Sequence, residues 1–355
     1  MVQNILIKIL LAPFSLLYGI GISMRNFFYR KGLLKGMEFS LPVISIGNLS
    51  IGGTGKTPHI EYLIRLLKDY VNVATLSRGY QRKTKGYLEV QPSFSAEQSG
   101  DEPLQFARKF GDILVTVGED RSFAIPKIVQ NHPTTQAILL DDAFQHLSVK
   151  PGLNIMLTDY SRLFTRDYLL PSGRLREWRS SYQRADIIIV SKCPKDLSEK
   201  ERDTILAEIK PFPHQQVFFT YYEYGNPYYM FNPQQRFGLQ EDWDVLVICA
   251  IAGTDYLLNY LNSRVNSVNA LEFEDHHYFT KYDLGKLQQG FSNLPSDKKV
   301  IITTEKDAMR LELHREFLLK EKLPILSLPV EVAFLFNEGT RFDGLVKEYL
   351  MGFKV

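Results

Sequence analysis

The run Ile44-Ser45-Ile46 followed by Gly47-Asn48-Leu49-Ser50-Ile51-Gly52-Gly53-Thr54-Gly55-Lys56-Thr57 constrains this chain more than any other feature. It reads as a short apolar strand, a glycine-rich turn and the opening of a helix. Glycines let successive backbone N–H groups point inward at one anion, and the helix dipole favours negative charge at that place. The segment Ser50, Ile51, Gly52, Gly53, Thr54, Gly55, Lys56 and Thr57 is therefore expected to cradle a nucleoside triphosphate, with Lys56 on the β and γ phosphates and Thr57 on Mg²⁺. Pro58 fits the first helical turn, where its missing N–H costs nothing, and Ile60, Leu63, Ile64 and Leu67 continue the helix as an apolar stripe. The strict pattern has glycine where this chain has Ser50, and the extra lysine of partitioning ATPases is replaced by Ile51.

A P-loop needs a metal-binding element at the end of a neighbouring strand. Ala137-Ile138-Leu139-Leu140-Asp141-Asp142 supplies an apolar strand ending in two carboxylates, hard oxygen donors of the kind Mg²⁺ accepts. Guanine recognition would require an Asn-Lys-x-Asp pattern after a later strand, and Ser191-Lys192-Cys193-Pro194 has proline in place of the acid, so ATP is the expected nucleotide.

Short β-branched runs alternate with amphipathic stretches at residues 42–46, 71–76, 113–117, 137–140, 153–157 and 187–190, a βαβ rhythm. That rhythm predicts an α/β fold: a P-loop NTPase-like parallel sheet flanked by helices, with ligands at the carboxyl ends of the strands. The aromatic, turn-rich texture of 213–238 reads as a strand-containing connector, and a second α/β rhythm follows in 239–355, with strands near 245–250, 300–303 and 325–328. The expected division is thus an apolar N-terminal helix (1–36), a P-loop domain (37–212), the connector and a smaller C-terminal α/β domain.

Net charge is only +2 over 355 residues, which argues against nucleic acid as a partner, and no protein partner is inferred. Cys193 and Cys249 show no metal-site or disulfide spacing. From Ile9 to Met24 there is no charged side chain, while Lys8, Arg25, Arg30, Lys31 and Lys35 flank the run and the first acid is Glu38. The run is interrupted by Pro13, Gly19 and Gly21 and is shorter than the roughly 20 apolar residues a spanning helix needs. An interfacial anchor, with apolar residues in one leaflet and cations at anionic head groups, is the favoured reading; a helix buried in the protein's own core is the alternative.

Seven segments occur in a fixed order: the glycine-rich turn through Pro58, Ser77-Arg78-Gly79-Tyr80, Gly100-Asp101-Glu102-Pro103, Asp141-Asp142-Ala143-Phe144-Gln145-His146, Leu175-Arg176-Glu177, Asp275-His276-His277 and Thr304-Glu305-Lys306-Asp307. Together they resemble the tetraacyldisaccharide 4'-kinase family. The resemblance implies ATP-dependent phosphorylation of the 4'-hydroxyl of an acylated disaccharide, a lipid A precursor, at the cytoplasmic face of the inner membrane. It further implies that Asp101 is the catalytic base, that His276, or else His277, assists it, and that Arg176 and Glu177 meet phosphate and metal or order the site, giving a metal set of Thr57, Asp141, Asp142 and Glu177. Arg78, Arg82, Lys83 and Lys85 form a basic cluster suited to a sugar phosphate. Ala143 and Gln81 stand where the family favours glycine. Two other readings remain open on sequence: a kinase of a soluble metabolite, and a membrane-associated regulatory ATPase.

Overall fold

The computed structural model describes residues 2–353; Met1, Lys354 and Val355, included in the expected segments, lie outside the described residues. Two compact units emerge, and both are discontinuous in sequence: residues 1–78, 112–222 and 332–355 form the first, and residues 79–111 and 223–331 form the second. The contiguous division at 212 and 239 is corrected accordingly. Residues 79–111 leave the P-loop unit and the last helix returns to it, because burial of apolar faces, not chain order, decides membership.

In the first unit seven strands carry the sheet: β1 (Val43–Asn48), β2 (Val73–Ser77), β3 (Leu114–Val117), β4 (Ala137–Asp141), β5 (Leu153–Asp159), β6 (Ile187–Ser191) and β7 (Gln216–Tyr224). They lie in the order β7-β6-β5-β1-β4-β2-β3, and each recorded pairing among them is parallel. β1, β2, β4 and β6 are buried at every position, which is why they read as largely apolar runs, broken only by small buried polar residues such as Ser45 and Thr75. The sheet register places Ile46 beside Asp141, so the glycine-rich turn and the acidic pair leave neighbouring strands at the same edge. The closing helix Gly339–Gly352 docks on this unit through buried Phe342 and Val346, and the Tyr349 hydroxyl donates to the carbonyl of Val43 (3.3 Å).

The helix Val2–Arg30 belongs to the first unit. One narrow face docks on residues 168–179: Ser15 Oγ donates to the Leu169 carbonyl (3.1 Å), the Trp178 indole donates to Ser23 Oγ (2.9 Å) and the Tyr18 hydroxyl to the Arg176 carbonyl (2.9 Å). Gly19 permits this approach, since a Cβ there would run into the Trp178 ring. The rest stays uncovered, Leu10 at 72% and Leu17 at 66% exposure, with Ile9, Phe14, Leu16 and Ile20 beside them. A helix buried in the protein's own core is therefore excluded. The stretch Ile7–Arg30 is long and apolar enough to cross a membrane by length and composition.

The second unit holds a six-stranded sheet in which the strand Asp244–Cys249 pairs in parallel with the edge strand Ser267–Glu272 on one side and with Lys299–Thr304 on the other. Both faces of that strand are apolar. Val245, Val247 and Cys249 pack with Leu257 and Leu261 of the helix Asp255–Asn262, whereas Leu246, Ile248 and Ala250 pack with Leu284 and Leu287 of the helix Lys281–Ser292. This core supports the helices Asp101–Lys109 and Glu305–Leu311, which lie against each other.

Candidate active site

The glycine-rich turn is held from outside, leaving its N–H groups free of side-chain clutter. Gly52 (φ 105°) and Gly55 (φ 84°) take the left-handed backbone that L side chains avoid, and a Cβ on Gly55 would strike the Tyr222 hydroxyl. Asn48 Nδ2 donates to Thr54 Oγ1 (2.8 Å), Ser191 Oγ donates to the Thr54 carbonyl (2.8 Å) and Lys192 donates to the Gly53 carbonyl. Residues 174–176 run alongside: Ile51 N–H donates to the Arg174 carbonyl (2.8 Å) and Arg176 N–H to the Leu49 carbonyl (2.7 Å). Ser50 forms an antiparallel bridge with Leu175 and has no left-handed backbone, so this position does not require the glycine of the strict pattern.

That pairing delivers Arg176 to the loop. Its two terminal nitrogens fork onto Asp142, Nη1 to Oδ2 at 3.0 Å and Nη2 to Oδ1 at 2.7 Å, while Nη2 also donates to Asn48 Oδ1. Lys56 Nζ lies 3.6 Å from Asp142 Oδ1. Crowding by protein atoms raises the Asp142 carboxyl, but the fields of Lys56, Arg176 and Arg121 outweigh it and hold the group well below the usual carboxylate range. Asp142 sits at φ 47°, a strained backbone for a non-glycine residue, whereas Ala143 avoids that region and loses nothing by not being glycine. Gln81, the other departure, does adopt φ 57° and carries the strain. Asp141 is buried and accepts from Ser77 Oγ at 3.4 Å.

Sequence reasoning missed Arg121. It is wholly buried behind the acidic pair and donates to the carbonyls of Gly118 (3.3 Å), Glu119 (3.2 Å) and Asp141 (3.3 Å). Burial pushes its guanidinium down to about 10 against the pull of Asp141 and Asp142, and His146 is pushed down to about 4 by burial and by the Arg121 charge. The buried Glu177 carboxylate is held on one oxygen by Arg25 of the N-terminal helix and on the other by Arg184, an arrangement that ties that helix to the segment carrying Arg176.

The second unit builds a different site around Asp101. Gly100 (φ 90°) ends one helical turn and starts the helix Asp101–Lys109, and its Cβ would come within 3.1 Å of Gly79 Cα, so this close approach needs glycine. Asp101 is buried. Its Oδ1 accepts from the Glu102 N–H (2.9 Å), while Oδ2 lies 3.2 Å from His276 Nδ1 and 3.3 Å from Arg310 Nη1. His276 is itself strained at φ 61°, with the Tyr80 ring 4.6 Å from its own. His277 faces elsewhere: its Nε2 meets Asp283 Oδ2 at 3.0 Å and its ring stacks on Phe273. Burial raises the Asp101 carboxyl, yet Lys306, His276 and Arg310 together hold it well below its ordinary value. Arg82 turns inward to Thr84 and Lys83 pairs with Glu97, so of the basic cluster these two are already engaged.

Among the described residues no three of His, Cys, Asp and Glu converge as a metal cage. Two adjacent carboxylates beside a threonine-bearing P-loop are nonetheless the sparse, all-oxygen donor set that suits Mg²⁺, which completes its shell with phosphate and water.

Residues 7–350 match the family described as tetraacyldisaccharide-1-P 4'-kinase. A tetraacyldisaccharide 4'-kinase of Phocaeicola vulgatus is 43% identical over 347 residues, covering 96% of this chain and 94% of the relative. One from Flavobacterium johnsoniae is 43% identical over 350 residues, covering 98% of both. A solved structure of LpxK from Aquifex aeolicus, an "apo" form in complex with ATP, superposes with a TM-score of 0.73 at 28% identity over 97% of this chain and 99% of that one. The seven ordered motifs, the P-loop sheet and these likenesses together establish that the chain belongs to the tetraacyldisaccharide-1-phosphate 4'-kinase family.

Proposed function

We propose that this protein transfers the γ-phosphate of ATP to the 4'-hydroxyl of a tetraacyldisaccharide 1-phosphate, the lipid A precursor named by its relatives. The observation that carries the reading is the coexistence of a preformed P-loop with a buried, ionised carboxylate backed by an imidazole, Asp101 with His276 at 3.2 Å. A nucleotide-driven regulator has use for the first and no task for the second.

The chemistry divides among this chain's residues. The loop from Ser50 to Thr57 receives the triphosphate, with Lys56 on the transferring group. Lys56 and Arg176 both lie against Asp142 at the loop and are placed to meet phosphate oxygens there, Arg176 with the planar fork that matches them. Thr57, Asp141 and Asp142 would hold Mg²⁺, which when bound neutralises charge between the β and γ phosphates. Asp101 accepts the proton of the 4'-hydroxyl as the new oxygen–phosphorus bond forms, the bond to the β,γ-bridging oxygen breaks and ADP leaves. Phosphoryl transfer passes through a loose transition state, so a carboxylate that orients the hydroxyl and takes its proton late suffices.

The acceptor's acyl chains belong in a bilayer. The uncovered apolar face of the N-terminal helix, with Arg25, Arg30, Lys31 and Lys35 at its far end, supports a monotopic seat in the cytoplasmic leaflet of the inner membrane. Labelled ATP, Mg²⁺, detergent and a tetraacyldisaccharide 1-phosphate, followed by thin-layer separation, test the whole reading. Labelled lipid is expected; ATP hydrolysis with no labelled lipid identifies a regulatory ATPase instead.

A further inference from the structure

The Thr304-Glu305-Lys306-Asp307 motif has no task in the mechanism above, yet its helix lies against the one that carries Asp101. The Thr304 hydroxyl caps the helix Glu305–Leu311 by accepting from the Asp307 N–H (3.0 Å). Lys306 and Arg310 are one turn apart and so share a face. Lys306 Nζ lies 3.0 Å from Glu102 Oε1, 3.3 Å from His276 Nε2 and 4.0 Å from Asp275 Oδ1. Arg310 has no exposed side-chain surface; Nη2 donates to the Ala250 carbonyl (2.9 Å) and to Asp307, which leaves Nη1 3.3 Å from Asp101 Oδ2.

An ammonium has donors and no acceptor. A lysine at hydrogen-bond distance from His276 Nε2 therefore requires that nitrogen to be the bare one, and a neutral ring must then carry its proton on Nδ1, where it donates to Asp101 Oδ2. Oδ2 of Asp101 is thus approached from two sides, by His276 and Arg310, while Oδ1 carries only the Glu102 N–H and keeps its second lone pair for the acceptor hydroxyl.

We propose that Lys306 and Arg310 are positioning residues for the base: Lys306 keeps His276 Nε2 bare so that Nδ1–H donates to Asp101, and Arg310 holds Oδ2, leaving the second lone pair of Oδ1, beside the Glu102 N–H, for the acceptor. The inference rests on the kinase reading. The groups facing Asp101 are Lys306 and Arg310 from one helix, His276, Asp275 and Tyr278 from the loop before residue 280, and Glu102 from its own helix. Removing either cation takes an opposite charge from the carboxylate, which should raise its pKa by about one to three units.

The test uses the full-length protein in detergent, with Arg310→Gln, Arg310→Lys, Lys306→Met and Lys306→Arg. Two readouts are needed: the pH profile of kcat/KM, and nitrogen-15 spectra of the histidine rings. For wild-type protein the spectra should show His276 protonated on Nδ1 only, and Lys306→Met should give mixed or protonated rings that Lys306→Arg restores. Arg310→Gln should move the acid limb upward by at least about one unit, with Arg310→Lys in between. A wild-type Nε2–H tautomer overturns the Lys306 half whatever the activity, and loss of activity with an unmoved acid limb overturns the Arg310 half. If Arg310→Gln fails to fold, Arg310→Lys reads the same limb. Wild-type protein that transfers no phosphate to lipid while showing the expected tautomer sinks the kinase reading alone.

Discussion

His59 closes over the P-loop turn: its Nδ1 lies 2.7 Å from the carbonyl oxygen of Gly55, and its other nitrogen meets Thr220 Oγ1 at 3.0 Å. Burial pushes this ring down to about 4, so it is neutral at physiological pH, donating from Nδ1 to the carbonyl and accepting from the hydroxyl. The folded pKa lies below the ordinary value, so the folded state binds fewer protons than the unfolded one. Its stability contribution is complete above about 6.5 and is lost as pH falls toward 4, on the order of 3 kcal/mol at the extreme. Thermal melts across that window should slope more steeply for wild type than for His59→Gln. Parallel slopes would refute the assignment.

Asp101→Asn keeps the shape of the base and removes its charge. Turnover should fall by about two to four orders of magnitude, while ATP affinity, measured by calorimetry, stays within twofold. A near-normal rate removes Asp101 from the role of base.

Arg176→Lys preserves charge but not the fork that spans both oxygens of Asp142. The expected loss in kcat is roughly 10- to 100-fold, the worth of one charge-assisted pair. Single-turnover kinetics decide the matter: an unchanged chemical step would make Arg176 a structural partner of the loop.

Leu10→Asp combined with Leu17→Asp alters two of the most exposed apolar side chains of the N-terminal helix. Each buried leucine contributes about 1.5–3 kcal/mol, so flotation with anionic liposomes should collapse, while thermal stability without lipid moves by no more than about 0.5 kcal/mol. Deleting the first 30 residues is a harsher test, because it also unseats Glu177 from Arg25. Undiminished flotation of the double variant counts against the interfacial seat.

Much of the fold was legible because the strands of the P-loop sheet are buried on both faces and appear as short, largely apolar runs. Ser267–Glu272 escaped notice for the opposite reason: Ser-Val-Asn-Ala-Leu-Glu is half exposed, and only pairing with Asp244–Cys249 makes it a strand. The P-loop half of the site follows from local spacing. The meeting of Asp101 with His276, 175 residues apart, was suggested by family likeness alone. Arg121 and Arg310 were invisible, since a buried arginine has no sequence signature until the carbonyls and carboxylates that hold it are in place. The two guanidinium partners of Glu177, Arg25 and Arg184, were equally out of reach, since only the fold brings them to it.

The tyrosine that reaches Val43 comes from residue 349. A ribosome emits Val43 of the nucleotide-binding sheet 306 residues before the tyrosine that bonds to it, and completes an entire second unit in between. Quality control of this enzyme is therefore written at its carboxyl end: a nascent chain clipped anywhere before Phe342 lacks the plug for its first-made core, and truncated products should present as unfolded kinase domains and not as stable fragments.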